Sequence, residues 1–300
     1  MKSRLHLPKL DSPPKTILDY LIAHFPQIPA DAWHERAERG LLAIDDGSPV
    51  TADSSYRYGI TVFYSKEVLN EPPAVESETI LYQDTNILVA DKPHGMVVTP
   101  SGDHVERALL SRLRRSTGVE SLTPVHRLDR DTAGVVLFAL QPETRTLYHG
   151  LFSDAAVERE YLAVAHLRNL TNEERWVVKN RMEEGQPWFR QCIAEGAAGD
   201  INAVTNIERL ESQNDLGLFR LRPVTGKKHQ LRVHMASLGF PIVGDRLYPG
   251  LREPQAGDPP LQLLAQRLSF VDPLSGEPRQ FTSARKLLWP LLGMLLRSME

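Results

Sequence analysis

Apolar residues at Ile17, Leu18, Leu21 and Ile22 recur at helical spacing, and the next stretch, Ala30 to Arg39, reads as a second helix stopped by Gly40 in the glycine-favouring position after the last turn. Leu41 to Ile44 then reads as a strand, Asp46-Gly47 as its turn and Tyr58 to Tyr64 as a later strand, a small α+β module. Pro72-Pro73 among acids from residue 71 to 78 break both periodicities and read as a linker. Beyond it, Ile80 to Tyr82 and Ile87 to Ala90 flank Asp84-Thr85-Asn86 as a hairpin. Gly134 to Leu140 is a continuous apolar run of strand length, and Glu158 to Val164 alternates. Val204 to Leu210 and Leu216 to Leu221 add two more strands. The clearest later helix is expected from His229 to Leu238, with Leu231, His234, Met235 and Leu238 on one stripe and Gly239 as its stop. Pro249 to Pro260 reads as a surface loop, and no internal repeat is present. The fold class expected is α+β, a mixed and mainly antiparallel sheet with flanking helices: residues 1–70 form the first module, 71–78 the linker and 79–300 the main domain.

Composition narrows the class. Three hundred residues fit about two domains, and 41% hydrophobic with 24% charged residues excludes wholesale disorder, collagen and coiled coil. One cysteine, Cys192, allows neither an internal disulfide nor a zinc-finger spacing, so a reducing, cytoplasmic setting is expected. The opening MKSRLHLPKL lacks the apolar core of a signal peptide, and the longest greasy stretch, Leu287 to Leu296, is broken by Pro290 and Gly293. Neither export nor membrane spanning is expected. The net charge of −3 argues against a nucleic-acid partner, but its distribution does not. From Arg107 to Arg130 six arginines face two acids, and from Asp215 to Asp245 five basic residues occur with no acid between. Taken alone, such islands describe a solvated surface.

The segment Val125-His126-Arg127-Leu128-Asp129-Arg130-Asp131-Thr132-Ala133-Gly134 places acids and bases at the mouth of the apolar strand. Arg127 and Asp129 project to one side of an extended stretch. By itself, an aspartate before a strand is an ordinary turn former. Two further segments change that: ILYQDTNILVADKPHGMVV, ending in K-P-x-G, and VTGKKHQLRVHMASLGFPIVGDRLY. Together with HRLD-x-x-T-x-G, in this order, they resemble the RluA family of RNA pseudouridine synthases over roughly residues 78 to 284.

That resemblance implies isomerisation of uridine to pseudouridine in structured RNA, ribosomal or transfer, through glycosidic bond cleavage, base rotation and C–C reattachment. It implies Asp129 as the catalytic aspartate and Arg232 as the arginine that pairs with it, favouring and fixing the charged carboxylate. Tyr161 falls where the family stacks a tyrosine on the target uracil, and Arg127 where an arginine enters the space left by a flipped nucleotide. His126, Leu231 and Lys228 complete the expected substrate contacts. Helical spacing also puts Lys228, His229 and Arg232 on one cationic stripe. Departures are Ala133 for the usual serine, Arg159 for the usual lysine before Tyr161, and Lys227-Lys228 ahead of His229-Gln230.

No metal, nucleotide or redox cofactor is expected, since a C–N bond is exchanged for a C–C bond on the same base. His229 and His234, five apart and about 140° around a helix, do not make an i, i+4 ligand pair. A glycoside hydrolase also acts at C1′ but needs a second carboxylate about 5 to 9 Å away, with Asp131 the near candidate. A catalytically silent RNA-binding protein on the same scaffold is the other alternative. The first module resembles the S4 RNA-binding module in pattern only. From Asp11 to Glu67 nine acids face five bases, a degenerate form whose charge repels phosphate. A monomer is expected.

Overall fold

The structure, a computed structural model, describes residues 2–26, 28–65, 76–101, 104–168, 172–194 and 200–289. Residues 71–75 of the expected linker, and the part of the expected greasy stretch beyond Trp289, lie outside them. The chain divides into two compact units, residues 1–70 and 71–300.

The first unit contains strand β1 (Lys2–His6), helices α1 (Ile17–His24) and α2 (Ala30–Glu38), and strands β2 (Leu42–Ala43) and β3 (Thr61–Ser65). Thr16 opens α1 with a capping box: its hydroxyl accepts the Asp19 amide and the Asp19 carboxylate accepts the Thr16 amide, both at 3.1 Å. Gly40, at φ +67°, ends α2 as expected. The strands pair antiparallel in the order β1-β3-β2. β1 is missed by the sequence reading, because its apolar side chain Leu5 sits among Arg4, His6 and other polar residues. Leu7, Ile17, Leu21, Trp33, Leu42 and Val62 form this unit's own core.

The second unit runs β4 (Thr79–Gln83), β5 (Ile87–Lys92), α3 (Leu109–Thr117), β6 (Thr123–Pro124), β7 (Ala133–Ala139), α4 (Arg145–Ser153) and β8 (Glu158–His166). It continues with β9 (Arg175–Asn180), β10 (Met182–Glu184), β11 (Gln191–Ile193), β12 (Ala203–Gln213), β13 (Leu216–Pro223), α5 (Gln230–Ser237), β14 (Leu263–Val271) and β15 (Pro278–Thr282). The main sheet has the order β4-β5-β7-β14-β8-β13-β12-β9, with β15 beside β14 and β6 beside β7. Every pairing in it is antiparallel except β7 with β14. The expected mixed, mainly antiparallel sheet is what the chain forms.

All seven residues of β7 are buried because both its faces are covered, which is why its sequence does not alternate. Val136 and Phe138 pack on one side with Leu88 and Leu113, and Val135 and Leu137 on the other with Ile87 and Tyr148. At the head of β7 the register Gly134, Ala265, Tyr161 runs straight across β7, β14 and β8. Gly134 has φ +116°, and a Cβ there would lie 2.2 Å from the Ala265 carbonyl oxygen. Only glycine fits where the loop bearing Asp129 meets the sheet. Among the described residues no helix is long and apolar enough to cross a membrane.

Candidate active site

A cleft in the second unit gathers residues 126–132 ahead of β7, Tyr161 from β8, the loop 223–229 after β13, and Leu231 and Arg232 from α5. Every site residue expected from the sequence lines it. Among the described residues, six arginine and lysine side chains there face two carboxylates, Asp129 and Asp131. The two basic islands contribute unequally. On α3, Arg112 pairs with Glu78, Arg115 with Glu106, and Arg114 binds the Leu122 carbonyl, so these arginines secure the structure. Arg220 and Arg222 pair with Glu208 and Glu160. The cations left to the cleft are those flanking Asp129 and those of the 227–232 segment.

Arg232 does reach Asp129 as an ion pair, but more loosely than expected. Its closest partner is Asp245: Nε donates to Oδ2 at 2.8 Å and Nη2 to Oδ1 at 2.7 Å. Its Nη1 lies 3.8 Å from Asp129 Oδ2, a looser approach than the expected pairing. The side chains of Arg232 and Asp245 are 4% and 1% exposed, so this is a buried, bidentate ion pair. Burial works against the Arg232 charge, but the Asp245 hydrogen bonds outweigh it and hold the guanidinium above its usual range. Asp245 also accepts the Leu247 and Tyr248 amides at 2.8 and 3.1 Å, which saturates it.

The cationic stripe is likewise corrected. α5 begins at Gln230, with His229 in the left-handed region at φ +56° just ahead of it. Gln230 bends that turn, its Oε1 accepting the Thr225 hydroxyl at 2.8 Å and the Lys227 amide at 3.0 Å. Lys228 therefore points outward while residues 230–235 are all buried. This is a core helix that carries one cation inside.

His229 Nδ1 meets the Tyr248 hydroxyl at 2.9 Å, and that hydroxyl accepts the Gln191 amide at 2.7 Å. The other ring nitrogen, Nε2, lies 3.8 Å from Asp129 Oδ2. Burial lowers the His229 pKa, with the Asp129 charge opposing, so the ring is neutral near pH 7. Asp129 itself is 32% exposed, and among the described residues no donor holds its carboxylate. Asp131 differs. Burial raises its pKa, but the Arg130 hydrogen bonds at 3.0 and 3.4 Å and the guanidiniums nearby outweigh burial and keep it low. An ionised, paired Asp131 is no proton donor, so it does not serve as the general acid of a glycoside hydrolase.

Tyr161 packs partly on the cores either side of β8, with its phenol pKa raised by burial. Arg159, two residues earlier on β8, donates to the Pro223, Val224 and Thr225 carbonyls at 3.2, 3.2 and 3.4 Å and so fastens the neighbouring loop. Arg127 is exposed, and Leu231 forms buried wall. His126, expected as a substrate contact, has its Nε2 engaged by the Leu137 amide at 3.1 Å and its ring stacked on Phe152 at 4.6 Å. Only its edge remains for a ligand. His234 is fully buried between Thr205 and Asn180, both nitrogens occupied.

Burial, with the Arg159 charge added, brings His126 to about 3. Burial alone brings His234 to about 4. Unfolded histidine titrates near ~6.5, so the unfolded chain takes up more protons between that value and the folded ones. The stability these neutral rings supply is fully present above pH 6.5 and is lost as pH falls toward 4. The urea midpoint should drop steadily from pH 7 to pH 5, and less steeply in His234→Gln; a flat profile would contradict this account.

Three residues escaped the sequence reading although each stands inside a quoted motif. Asp245 and Tyr248 belong to the G-D-x-x-Y tail, and Lys92 to K-P-x-G. The fully buried Lys92 ammonium donates to the Pro93, Met96 and Arg130 carbonyls at 3.0, 2.7 and 2.9 Å, tying β5 to the Asp129 loop. Burial draws its pKa down to about 7 against the charges of Asp131 and Asp129.

Comparisons with known proteins agree with this geometry. Residues 86–237 match the family described as RNA pseudouridylate synthase. The dual-specificity RNA pseudouridine synthase RluA of Haemophilus influenzae is 33% identical over 218 residues, 71% of this chain and 95% of that protein. The ribosomal large subunit pseudouridine synthase D of Xanthomonas campestris pv. campestris is 33% identical over 254 residues, 79% of this chain and 75% of that protein. In fold, human RNA pseudouridylate synthase domain containing 1 aligns with a TM-score of 0.57 at 24% identity, over 77% of this chain and 97% of the human one. With a buried arginine facing an unbonded aspartate in a cationic cleft, and the family match spanning that cleft, the chain belongs to the RluA family of RNA pseudouridine synthases.

Proposed function

We propose that Asp129 is the carboxylate that acts on the ribose–uracil unit of the extruded uridine. The observation carrying this reading is that Asp129 is the one carboxylate of the described cleft left without a hydrogen-bond donor, while Asp131 is taken by Arg130. The Arg232 guanidinium supplies positive potential without occupying the Asp129 lone pairs, and the neutral His229 imidazole stands at the same 3.8 Å distance. Arg232 is a positioning residue, held by Asp245 so that the negative charge at 129 has a fixed partner. Tyr161 supplies the stacking face for the uracil. Arg127 fills the stack that the flipped nucleotide leaves, and Lys228 meets backbone phosphate. Leu231 and the edge of His126 form the wall.

The substrate is structured RNA of the ribosomal or transfer class, modified by a monomer in the cytoplasm. Residues 1–70 form a degenerate S4-like module whose acidic surface tunes which RNA is accepted. Mapping pseudouridine in RNA from cells with and without this gene tests the assignment. Positions lost on deletion and restored by the wild-type gene, but not by Asp129→Asn, would identify the target; unchanged maps would overturn the reading.

A further inference from the structure

β10 and β11 form a short antiparallel hairpin outside the main sheet, and its tip carries Trp188. At 74% exposure Trp188 is the most exposed large hydrophobic residue described. A lone exposed aromatic on a surface needs no explanation. This one has a setting. Trp188 and its edge-on neighbour Phe189 line the same cleft as Asp129 and Tyr161. The Lys228 ammonium sits 5.7 Å from the indole centroid, a cation against a ring with open surface left.

The root of the hairpin is fixed to the site. Gln191 donates its amide to Tyr248, the residue that also holds His229. Arg190 lies 5.1 Å above the Tyr248 ring and donates to the Pro249 carbonyl at 2.9 Å. Met182 packs with Val233 of α5. The indole is therefore presented from a framed position rather than from a loose loop.

We propose that this hairpin is a base-stacking arm: Trp188, backed by Lys228, takes an unpaired base flanking the uridine delivered to Asp129. An aromatic face with an adjacent ammonium matches the paired demands of a single-stranded nucleotide, a π-surface for the base and a cation for its phosphate. A base inside a continuous duplex is already stacked and gains nothing from the arm. The substrate class is thus RNA with at least one further unpaired nucleotide beside the target. The proposal rests on the reading of this cleft as the RNA site.

The test uses the full chain and two labelled RNAs of equal length, a hairpin with a loop of uridines and adenines and a fully paired duplex. Trp188→Ala should weaken binding of the hairpin about tenfold, leave the duplex within about twofold, and leave the salt dependence of binding unchanged. Trp188→Phe should recover most of the loss. Because the side chain is exposed, folding is not at issue and is checked by circular dichroism. Wild-type affinity in Trp188→Ala, or equal losses on both RNAs, would overturn the arm while leaving the cleft reading intact if the wild type still forms pseudouridine. A wild-type protein that binds neither RNA would overturn both.

Discussion

Purified Asp129→Asn should bind RNA as tightly as the wild type yet form pseudouridine at least ~10⁴-fold more slowly, the order of loss seen when a reacting group is removed from a preorganised site. The substitution preserves shape, and no donor hydrogen-bonds the Asp129 carboxylate among the described residues, so no structural contact is broken. Among the described residues it removes one of two negative charges from a cleft with six Lys and Arg residues, so phosphate attraction is maintained or strengthened. Binding measured by filter retention and turnover by nucleoside chromatography separate the two effects. Turnover within tenfold of wild type would displace Asp129 from the centre of the reaction.

Asp245→Ala should cut unfolding free energy by about 3–5 kcal/mol, because it leaves the Arg232 guanidinium buried without its counter-charge. It also frees the Leu247 and Tyr248 amides. Turnover should fall along with stability, which by itself cannot distinguish structural damage from lost positioning. The paired replacement Arg232→Met with Asp245→Leu resolves this. An apolar pair of similar volume is expected to recover the part of the loss that comes from the unpaired charge, with the Leu247 and Tyr248 amides still unmet, but it leaves nothing to orient the charge at 129. A stable double variant with wild-type turnover would show that Arg232 only fills space.

Much of the scaffold was legible from apolar pattern alone. The β4–β5 hairpin, β7, β12 and β13 stand close to where their side chains place them, and Gly40 and Gly239 stop their helices at left-handed φ. β14 was not legible, although it joins β7 to β8: Gln266, Arg267 and Ser269 interrupt its apolar residues, and its parallel partner lies about 130 residues earlier. The site divides in the same way. Asp129, Arg232 and Tyr161 follow from motif spacing, whereas the preference of Arg232 for Asp245 over Asp129 depends on α5 being buried all round, which an amphipathic helical reading does not anticipate. The basic island of α3 misled in the opposite direction, because its acidic partners Glu78 and Glu106 flank the island on the N-terminal side, one of them 34 residues from its arginine.

The enclosure of Arg232 has a bearing on ionic strength. Mobile ions reach Arg127 and Lys228 at the rim, and at ~0.15 M they damp such charges beyond roughly 8 Å. They do not reach a guanidinium that is 4% exposed and held by a buried carboxylate. Adding salt should therefore slow capture of RNA while sparing the step that follows, so that KM climbs and kcat holds.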